Sequence, residues 1–325
     1  MVWSSGSNNI SQKALNIEIL AANGITVPKG FTLAAEHYLT ALAPLKTRII
    51  AALSNPLQIR EIFLASTIPQ NAMRCLADKL ALLPEVNRFA VRSSGVVMVH
   101  GTLIREESAD VSMAGQFDSY LNVPRELVPQ AVLRCWASLF NERSVLSFDA
   151  NYDYVLGSAM SVLIQEMIPA KACAVMMTCN PISNGENGAI EFSLGPCEAI
   201  VSGIVNPDEV IFNRSNGEII STRVGSKEWQ ICYSDFTATG NNVLRIAVAP
   251  EARARLSLTT NALTDLFVLG QKIERIFNYP QDVEVVITPG KQIVVTQSRS
   301  ITTLPPERTT FNISESLCSH AISKK

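Results

Sequence analysis

The sequence predicts an α+β fold, and three observations support this class. Apolar residues recur at helical spacing in both halves, for example over residues 13–23 and 256–277. Short β-rich runs dominate the second half, and residues 282–299 carry the strongest hairpin signal. No repeat, low-complexity tract or linker separates the halves, so we expect them to share one cleft. The expected units are one domain over residues 1–303, with lobes at 1–168 and 169–303, and a tail at 304–325.

The composition is that of a protein with a large core. Of 325 residues, 47% are hydrophobic and only 17% are charged. The 27 Lys and Arg residues are balanced by 29 Asp and Glu residues, and no basic stripe occurs, so no nucleic-acid partner is expected. The low charged fraction leaves room for an interface with another chain, although an unusually apolar core explains it equally well.

Neither membrane insertion nor export is expected. No run approaches the roughly 18 consecutive apolar residues of a membrane helix. The N-terminal residues lack the charged and apolar regions of a signal peptide. Seven cysteines without a CxxC pair indicate neither a disulfide framework nor a zinc site. Reduced thiols in the cytoplasm are therefore the expectation.

The first half is predicted to be mainly helical. Residues 13–23 form a helix, and residues 25–31 form a proline-punctuated extended connector. Thr32 is the predicted N-cap of helical segments that reach Leu53 with an interruption at Pro44. The segments that follow are helices up to residue 83, a strand at 87–91, an irregular stretch at 95–111, a strand within 112–123, a helix at 125–140 and a strand at 160–167.

The second half is predicted to be richer in strands. Short apolar runs at residues 174–179 and 189–192 are predicted strands, and residues 195–203 form a loop that leads into a helix. Residues 209–212 and 218–223 are predicted to pair as a hairpin. The last long helix, at residues 256–277, ends just before the hairpin at residues 282–299.

The last hairpin carries the clearest candidate site. Its two β-rich runs flank a turn at Pro289-Gly290, and we place the centre of the hairpin there. That register gives two cross-strand pairs, Glu284 with Val295 and Asp282 with Gln297.

One face of this hairpin is predicted to be polar at its open end, because side chains alternate faces along a strand. The polar end consists of Asp282, Glu284, Gln297 and Arg299, and the turn end of the same face of Val286, Ile293 and Val295. Two carboxylates and an amide oxygen suit Mg2+, and a guanidinium offsets phosphate charge, so this face suits a metal-bound polyphosphate. The alternative is an ordinary edge hairpin whose polar residues face water.

Three other positions are weaker candidates when each is taken alone. Lys13 opens a helix, where a lysine is usually solvent-exposed but could contact a phosphate. Arg92 and the two serines after it follow a strand, which suits either a phosphate grip or a capped turn. Gln165 and Glu166 point to opposite faces of a strand. An adenine could lie beside the backbone that follows them; otherwise they are polar residues at an edge.

Together with further motifs, these residues resemble the N-terminal ATP-binding module of phosphoenolpyruvate synthase and pyruvate phosphate dikinase, also found in rifampin phosphotransferase. The resemblance runs from about Lys13 to Arg299. Its most specific stretches are NGITVPKGF, AVRSS, SMAGQFDSYLNV, CWASLFNER, VLIQEMI, EAIVSGIVNPDE and PQDVEV with the later QSR. The resemblance implies an ATP-grasp-like fold, with two lobes of mixed or antiparallel sheets around a nucleotide cleft.

The resemblance also implies roles for individual residues, with ATP and Mg2+ as cofactors. Lys13 and Arg92 match residues that contact phosphates. The other matches are Gln116 and Ser119 near the triphosphate, Gln165, Glu166, Met167 and Ile168 beside the adenine, Glu198 in a Gly-Leu-Gly-Glu loop, and Asp282, Glu284, Gln297 and Arg299 in the metal and phosphate hairpin. The catalytic set so implied is Lys13, Arg92, Glu284, Gln297 and Arg299, and the metal ligands are Glu284, Gln297 and Asp282.

The activity implied is that of an ATP-dependent phosphotransferase subunit. In the family, this module cleaves ATP to AMP and phosphate, and the β-phosphoryl group goes to a histidine on a separate swivelling domain. No Thr-rich histidine motif occurs here, so we expect the phosphohistidine and acceptor domains on another polypeptide. Two alternatives stay open, a self-contained kinase or ligase acting directly on a small-molecule acceptor and a non-catalytic relative that binds nucleotide.

The sequence departs from the family pattern at several glycines. Ser11, Gln12 and Ala14 replace glycines beside the lysine, which makes a tight backbone approach to phosphate less favourable. The Gly-Leu-Gly-Glu loop reads GPCE at residues 195–198, and Ser300 replaces a proline. None of these departures removes a charged group, so an active nucleotide site is expected.

Overall fold

Two β-sheets, each with its own apolar core, organise the chain. The computed structural model describes residues 12–99, 102–105, 116–144, 152–183, 185–234, 236 and 243–301. Every strand pair in this part of the chain is antiparallel. The helices and the two larger antiparallel sheets confirm the predicted α+β class. The expected tail at residues 304–325 lies outside the described residues. None of the described helices is long and apolar enough to cross a membrane.

The first sheet has the order β1-β5-β2-β3, and β4 also pairs with β2. Its strands are β1 (Gly30–Leu33), β2 (Arg88–Val99), β3 (Thr102–Arg105), β4 (Ser119–Pro124) and β5 (Ala159–Glu166). The helices of this lobe are α2 (Ala35–Leu42), α3 (Lys46–Ala51), α4 (Pro56–Leu64), α5 (Gln70–Ala81), α6 (Val128–Ala137) and α7 (Tyr152–Gly157), with short 3-10 turns at Ala43–Leu45, Arg125–Leu127 and Ser138–Phe140. Tyr38, Phe63 and Trp136 are fully buried in its core, where the ring of Tyr38 stacks on Phe63 and meets Trp136 edge-on.

The second sheet has six strands in the order β13-β12-β6-β7-β8-β9. They are β6 (Ala172–Met177), β7 (Asn187–Leu194), β8 (Asp208–Asn213), β9 (Ile219–Arg223), β12 (Gln281–Ile287) and β13 (Ile293–Ser300); the helices are α8 (Glu198–Val201), α9 (Pro250–Arg253) and α10 (Thr260–Phe277), and a 3-10 turn lies at Pro181–Ser183. Helix α10 buries Leu266 and Ile273 against one face of the sheet. It approaches closely at Gly270, where an added Cβ would lie 2.8 Å from Met176.

Helix α1 (Gln12–Ala22) packs on the second sheet although it precedes the first strand of the other one. Ile17 and Leu20 are fully buried in the core beneath β12 and β13. Asn16 donates a hydrogen bond from Nδ2 to the carbonyl oxygen of Ser298 at 2.7 Å. The expected division into lobes at residue 168 stays a prediction, and α1 joins the sheet that lies on the far side of that division.

A separate hairpin that the sequence analysis did not predict joins β10 (Trp229–Tyr233) to β11 (Val243–Ala247). Its strands are short, and only Ile231 of the two strands is buried. The alternation that marks a half-buried strand therefore extends over too few residues to stand out.

Two local predictions for the first lobe were wrong. Within residues 95–111, the part that is described is regular, because β2 continues to Val99 and pairs with β3. Residues 106–111 lie outside the described residues. Thr32 does not cap a helix, because it lies in β1 opposite Leu163, and the position before α2 is Ala34. Pairing with β5 takes precedence there over a local capping preference.

Candidate nucleotide site

Strands β12 and β13 form the predicted hairpin, but its register differs from the prediction. The connecting loop has five residues centred on Gly290, and Lys291 adopts a left-handed conformation with φ of 63°. The register then shifts beyond Val285, which leaves Thr296 as the extra residue of a β-bulge. The resulting pairs are Val285 with Val295, Glu284 with Gln297, and Asp282 with Arg299.

The bulge determines which side chains face the cleft. Ile293 and Val295 pack with Val285 in the core under α10, so the prediction that they share a face with Glu284 was wrong. Beyond Thr296 the alternation is offset by one residue. Since paired residues share a face, Gln297 then lies on the side of Glu284, and Arg299 on the side of Asp282. The structure thus brings together the four polar residues singled out in the sequence.

Arg92 of the first sheet reaches this polar face of the second sheet. Its Nη1 donates a hydrogen bond to Oε1 of Gln297 at 3.0 Å and lies 3.6 Å from Oε2 of Glu284. The side chains of Arg92 and Glu284 are only 17% and 15% exposed. Nε of Arg92 is buried without a hydrogen-bond partner among the described residues. The guanidinium therefore keeps donor capacity for a further acceptor.

Lys13 approaches the same region from the opposite end of the chain. Its Nζ donates to the carbonyl oxygen of Ser93, the residue after Arg92, at 3.2 Å. Helix α1 is docked on β13 of the second sheet, and Ser93 lies in β2 of the first sheet. The contact between Lys13 and Ser93 therefore joins the two sheets beside Arg92. The ammonium of Lys13 thus lies at the residue that follows Arg92, and two cations placed near each other suit the binding of a polyanion.

Asp282 and Arg299 form an ion pair beside the other residues of the hairpin. Nε and Nη2 of Arg299 lie 2.8 and 2.6 Å from Oδ2 of Asp282. Oδ1 of Asp282 is buried without a hydrogen-bond partner in the described part of the chain. Burial raises the pKa of Asp282. The positive charge of Arg299 lowers this pKa, and the negative charge of Glu284 raises it further.

Glu198 lies in the wall of the cleft at the start of α8. Burial raises the pKa of its carboxyl, the positive charge of Arg92 opposes the change, and the negative charge of Glu284 reinforces it. These influences place Glu198 within electrostatic range of both residues. Its neighbour Cys197 is buried in a small apolar cluster that also contains Val286, two residues along β12 from Glu284. This cluster forms the apolar wall of the site.

The four residues expected beside an adenine lie where the chain passes between the lobes. Gln165 is 1% exposed, and its Nε2 donates to the carbonyl oxygen of Thr296 at 3.3 Å, so its side chain fastens β5 to the bulge. Oε2 of Glu166 accepts from the backbone N–H of Lys29 at 3.4 Å. The backbone N–H of Met167 donates to the carbonyl of Arg88. Ile168 packs against the apolar wall.

The two remaining predicted residues lie near β4. Ser119 is the cross-strand partner of Arg92. Gln116 precedes the strand, and its carbonyl oxygen accepts hydrogen bonds from Asn141 Nδ2 at 2.9 Å and Ser144 Oγ at 3.0 Å. Ser119 is therefore beside the arginine, whereas the backbone carbonyl of Gln116 is held by two side chains of the first lobe.

Tyr233 is a site residue that the sequence analysis missed. Its ring packs against the apolar wall, and its hydroxyl is buried without a hydrogen-bond partner among the described residues. Burial raises the pKa of this hydroxyl, and the charges of Glu198 and Arg92 act on it with opposite signs. The only available signal was an isolated tyrosine in a short strand, which is not specific.

The residues of the hairpin fit magnesium. Glu284 and Gln297 are paired, and Asp282 carries a buried oxygen that lacks a partner among the described residues. Carboxylate and amide oxygens are the ligands that Mg2+ prefers. Within the described residues, no three His, Cys, Asp or Glu side chains gather as a metal cluster, so these side chains alone do not complete a magnesium site.

The comparisons with solved structures give only weak similarity. A D-alanine–D-alanine ligase from Coxiella burnetii aligns with a TM-score of 0.36 and 11% identity, covering 90% of this chain and 47% of that one. A biotin carboxylase from Campylobacter jejuni aligns with a TM-score of 0.35 and 11% identity, covering 92% and 42%. We draw no argument from similarity at this level.

The sequence comparisons are much stronger. The family model for the pyruvate phosphate dikinase AMP/ATP-binding domain matches residues 8–316. A rifampicin phosphotransferase of Bacillus cereus is 31% identical over 321 residues, which cover 91% of this chain and 34% of the relative. A probable phosphoenolpyruvate synthase of Methanothermobacter thermautotrophicus is 30% identical, with 90% and 44% covered. This chain thus spans less than half of either relative, and it belongs to the pyruvate phosphate dikinase AMP/ATP-binding domain family.

Proposed function

We propose that the cleft between the two sheets binds Mg-ATP and that the chain acts as an ATP-dependent phosphotransferase subunit. The observation that carries this proposal is the meeting of Arg92 with Glu284 and Gln297 across the lobes. A guanidinium, a carboxylate and an amide that converge from two sheets suit a metal-bound triphosphate. Membership of an AMP/ATP-binding family supports the same ligand.

In this proposal the cations bind the phosphates. Arg92 exchanges its contacts with Gln297 and Glu284 for phosphate oxygens, and its buried Nε gives it a donor that is already free of partners among the described residues. Lys13, on the helix docked against β13, and Arg299, in β13 itself, add positive charge. Phosphoryl transfer depends mainly on positioning and charge neutralisation, which these residues provide.

The acidic face of the hairpin would hold the metal. Glu284, Gln297 and Asp282 supply oxygen ligands from two paired strands. Magnesium held there supplies neutralisation of phosphate charge during transfer. The base of the nucleotide would lie by Glu166, Met167 and Ile168, where the apolar wall begins, and Gln165 would act by holding the two sheets together.

We further propose that the phosphoryl group passes to a histidine on a separate partner domain, with AMP and phosphate as products. The support is that the chain covers only 34% of a rifampicin phosphotransferase and 44% of a probable phosphoenolpyruvate synthase, two relatives whose names describe whole enzymes. The remaining portion of such relatives is the natural location of the acceptor. A cytoplasmic location stays part of this proposal.

Calorimetric titration of the purified chain with ATP, with and without Mg2+, tests the site. We expect Mg2+-dependent binding that Glu284→Gln weakens by about tenfold or more, because a charged metal ligand becomes neutral. Glu274→Gln is the matched control, since Glu274 also forms a partly buried ion pair with an arginine but lies on α10. Equal affinity of wild type and Glu284→Gln would contradict the metal site.

Transfer is tested with ATP labelled at the β-phosphate. The chain is incubated with extract of its own organism, and acid-labile, base-stable label is expected on another protein together with AMP. Release of labelled ADP without label on any protein would instead support the self-contained kinase or ligase, because that reaction transfers the γ-phosphoryl group and leaves the β-phosphate in ADP. Arg92→Lys serves as the variant in which labelling should fall.

A further inference from the structure

The end of strand β10 crosses from the second lobe to the first. Ile231 is 3% exposed and lies in the apolar wall of the second lobe. The turn at Gly195 packs directly on it, since a Cβ added there would lie 3.1 Å from the Ile231 carbonyl oxygen. Five residues later, Phe236 is 3% exposed in the core of the first lobe, edge-on to Tyr120 with ring centroids 5.8 Å apart. The segment is therefore anchored at both ends.

A hydrogen bond reinforces the crossing between these anchors. Nδ2 of Asn122, in β4, donates to the carbonyl oxygen of Ser234 at 3.3 Å. Arg134 also lies over the rings of both Tyr120 and Phe236, at 6.0 Å from each centroid. The segment from Ile231 to Phe236, which we call the interlobe strap, thus bridges the cleft that holds the proposed nucleotide site.

Tyr233 lies in the middle of the interlobe strap. Its ring packs against the apolar wall, and its hydroxyl oxygen is buried with no hydrogen-bond partner among the described residues. Buried polar groups in folded proteins are nearly always hydrogen-bonded, because an unpaired one loses its interaction with water without compensation. The hydroxyl is also within electrostatic range of Glu198 and Arg92, both in the proposed site. A ligand in that site would supply the missing partner.

We propose that Tyr233 is a nucleotide-binding residue whose hydroxyl donates a hydrogen bond to an oxygen of the ribose or the α-phosphate of ATP. This inference rests on the proposed function of the cleft. Ile168, on the proposed base side, packs in the same cluster as the tyrosine ring, and Arg92 lies on the proposed phosphate side. The ribose and the α-phosphate connect the base to the reacting phosphates, so they are the parts of ATP that would lie between Ile168 and Arg92. Tyr233 would also make the interlobe strap sensitive to the bound nucleotide.

Tyr233→Phe tests the inference because it removes only the hydroxyl. Binding of Mg-ATP is measured by calorimetry, and unfolding of the nucleotide-free chain by urea titration. We expect the affinity for Mg-ATP to fall about 3- to 10-fold, the usual effect of losing one hydrogen bond to a ligand. The urea midpoint should stay the same or rise, because the substitution removes a buried group that has no partner in the free protein.

Tyr38→Phe is the matched control. The hydroxyl of Tyr38 is also buried without a partner among the described residues, but it lies in the core of the first lobe. This variant should match Tyr233→Phe in stability and wild type in affinity. The same titrations with 2′-deoxy-ATP and 3′-deoxy-ATP locate the contact. A penalty that disappears with one analogue assigns the bond to that ribose hydroxyl, and a penalty that persists with both assigns it to the ribose ring oxygen or the α-phosphate.

The possible failures are distinguishable. If Tyr233→Phe binds Mg-ATP as tightly as wild type, the inference is overturned while the proposed function stands. A lower urea midpoint for Tyr233→Phe would also overturn it, because the hydroxyl would then have a structural partner in the free chain. Equal losses of affinity in Tyr38→Phe and Tyr233→Phe would show that the effect is not local. If wild type itself does not bind Mg-ATP, the proposed function fails and the inference falls with it.

Discussion

Arg92 and Gln297 are 205 positions apart in the sequence and belong to different sheets, yet Nη1 of one lies 3.0 Å from Oε1 of the other. The contact depends on the bulge at Thr296, which turns Gln297 towards the cleft. It also depends on β5, the neighbour of β2 in the first sheet, being fastened to that bulge through Gln165. The site is therefore a property of how the two sheets meet.

Arg92→Lys should weaken Mg-ATP binding by about tenfold, measured by calorimetry. Lysine keeps the charge but loses the planar set of donors, including the buried Nε, with which Arg92 would bind phosphate oxygens. Arg214→Lys is the control, because Arg214 forms an ion pair with Glu274 of α10. Unchanged affinity in Arg92→Lys would mean that the arginine does not bind the ligand.

Gln165→Leu should lower the free energy of unfolding by about 1–3 kcal/mol, measured by urea titration. The substitution removes the donor to the carbonyl of Thr296 and weakens the attachment of β5 to β13. Gln58→Leu on the exposed surface of α4 should change stability by less than about 0.5 kcal/mol. Similar stability in the two variants would show that the contact between β5 and the bulge contributes little.

Lys227→Met should destabilise the fold by about 3 kcal/mol, measured in the same way. Lys227 and Asp208 form an ion pair in which both side chains are fully buried, and the lysine also donates to the carbonyl of Arg255. Removal of the lysine leaves a buried carboxylate without its counter-charge. Lys29→Met removes the cation of an exposed pair with Glu85 and should have almost no effect. A small loss in Lys227→Met would contradict this account.

Glu198→Gln should change how stability depends on pH. Burial raises the pKa of Glu198, so the folded chain binds this proton more tightly than the unfolded chain. Stability then falls as the pH rises from the ordinary value of the carboxyl through the raised one. Glutamine stays neutral, so the variant should be more stable than wild type above that interval and lose its advantage below it.

Thermal unfolding from about pH 4 to pH 8 measures this difference. Glu85→Gln is the comparison, because a hydrogen bond from Lys29 lowers the pKa of Glu85. A carboxyl with a lowered pKa favours the folded state when it is charged, so its replacement by glutamine should not increase stability at neutral pH. An advantage of Glu198→Gln that is constant across the range would contradict the assignment of a raised pKa to Glu198.

The sequence was sufficient for the fold class and for the composition of the hairpin. Asp282, Glu284, Gln297 and Arg299 could be grouped because they alternate within two obvious strands. The cross-strand register of these residues could not be predicted from the sequence, because it depends on which residue of β13 is left unpaired at the bulge. At Thr296 that choice is coupled to a hydrogen bond from Gln165, which is 131 positions away. Alternation within one strand carries no information on such a distant contact.

Tyr233 illustrates a different limit. It lies in a strand of five residues, and its importance arises only because Ile231 and Phe236 are buried in different lobes. Sequence periodicity indicates that a side chain is buried, but it does not indicate in which core. The role that we propose for Tyr233 therefore becomes apparent only when both lobes are considered together.

The docking of α1 on β13 has a consequence for the order of folding. Asn16 and Ser298 are 282 positions apart, so the helix that carries Lys13 has no surface to bind until the last strand of the sheet exists. Contacts between such distant positions form slowly, since a long loop must close first. During synthesis, Lys13 therefore reaches its place beside Ser93 only after β13 has been made, and the proposed set of cations is complete only when these two distant segments have come together.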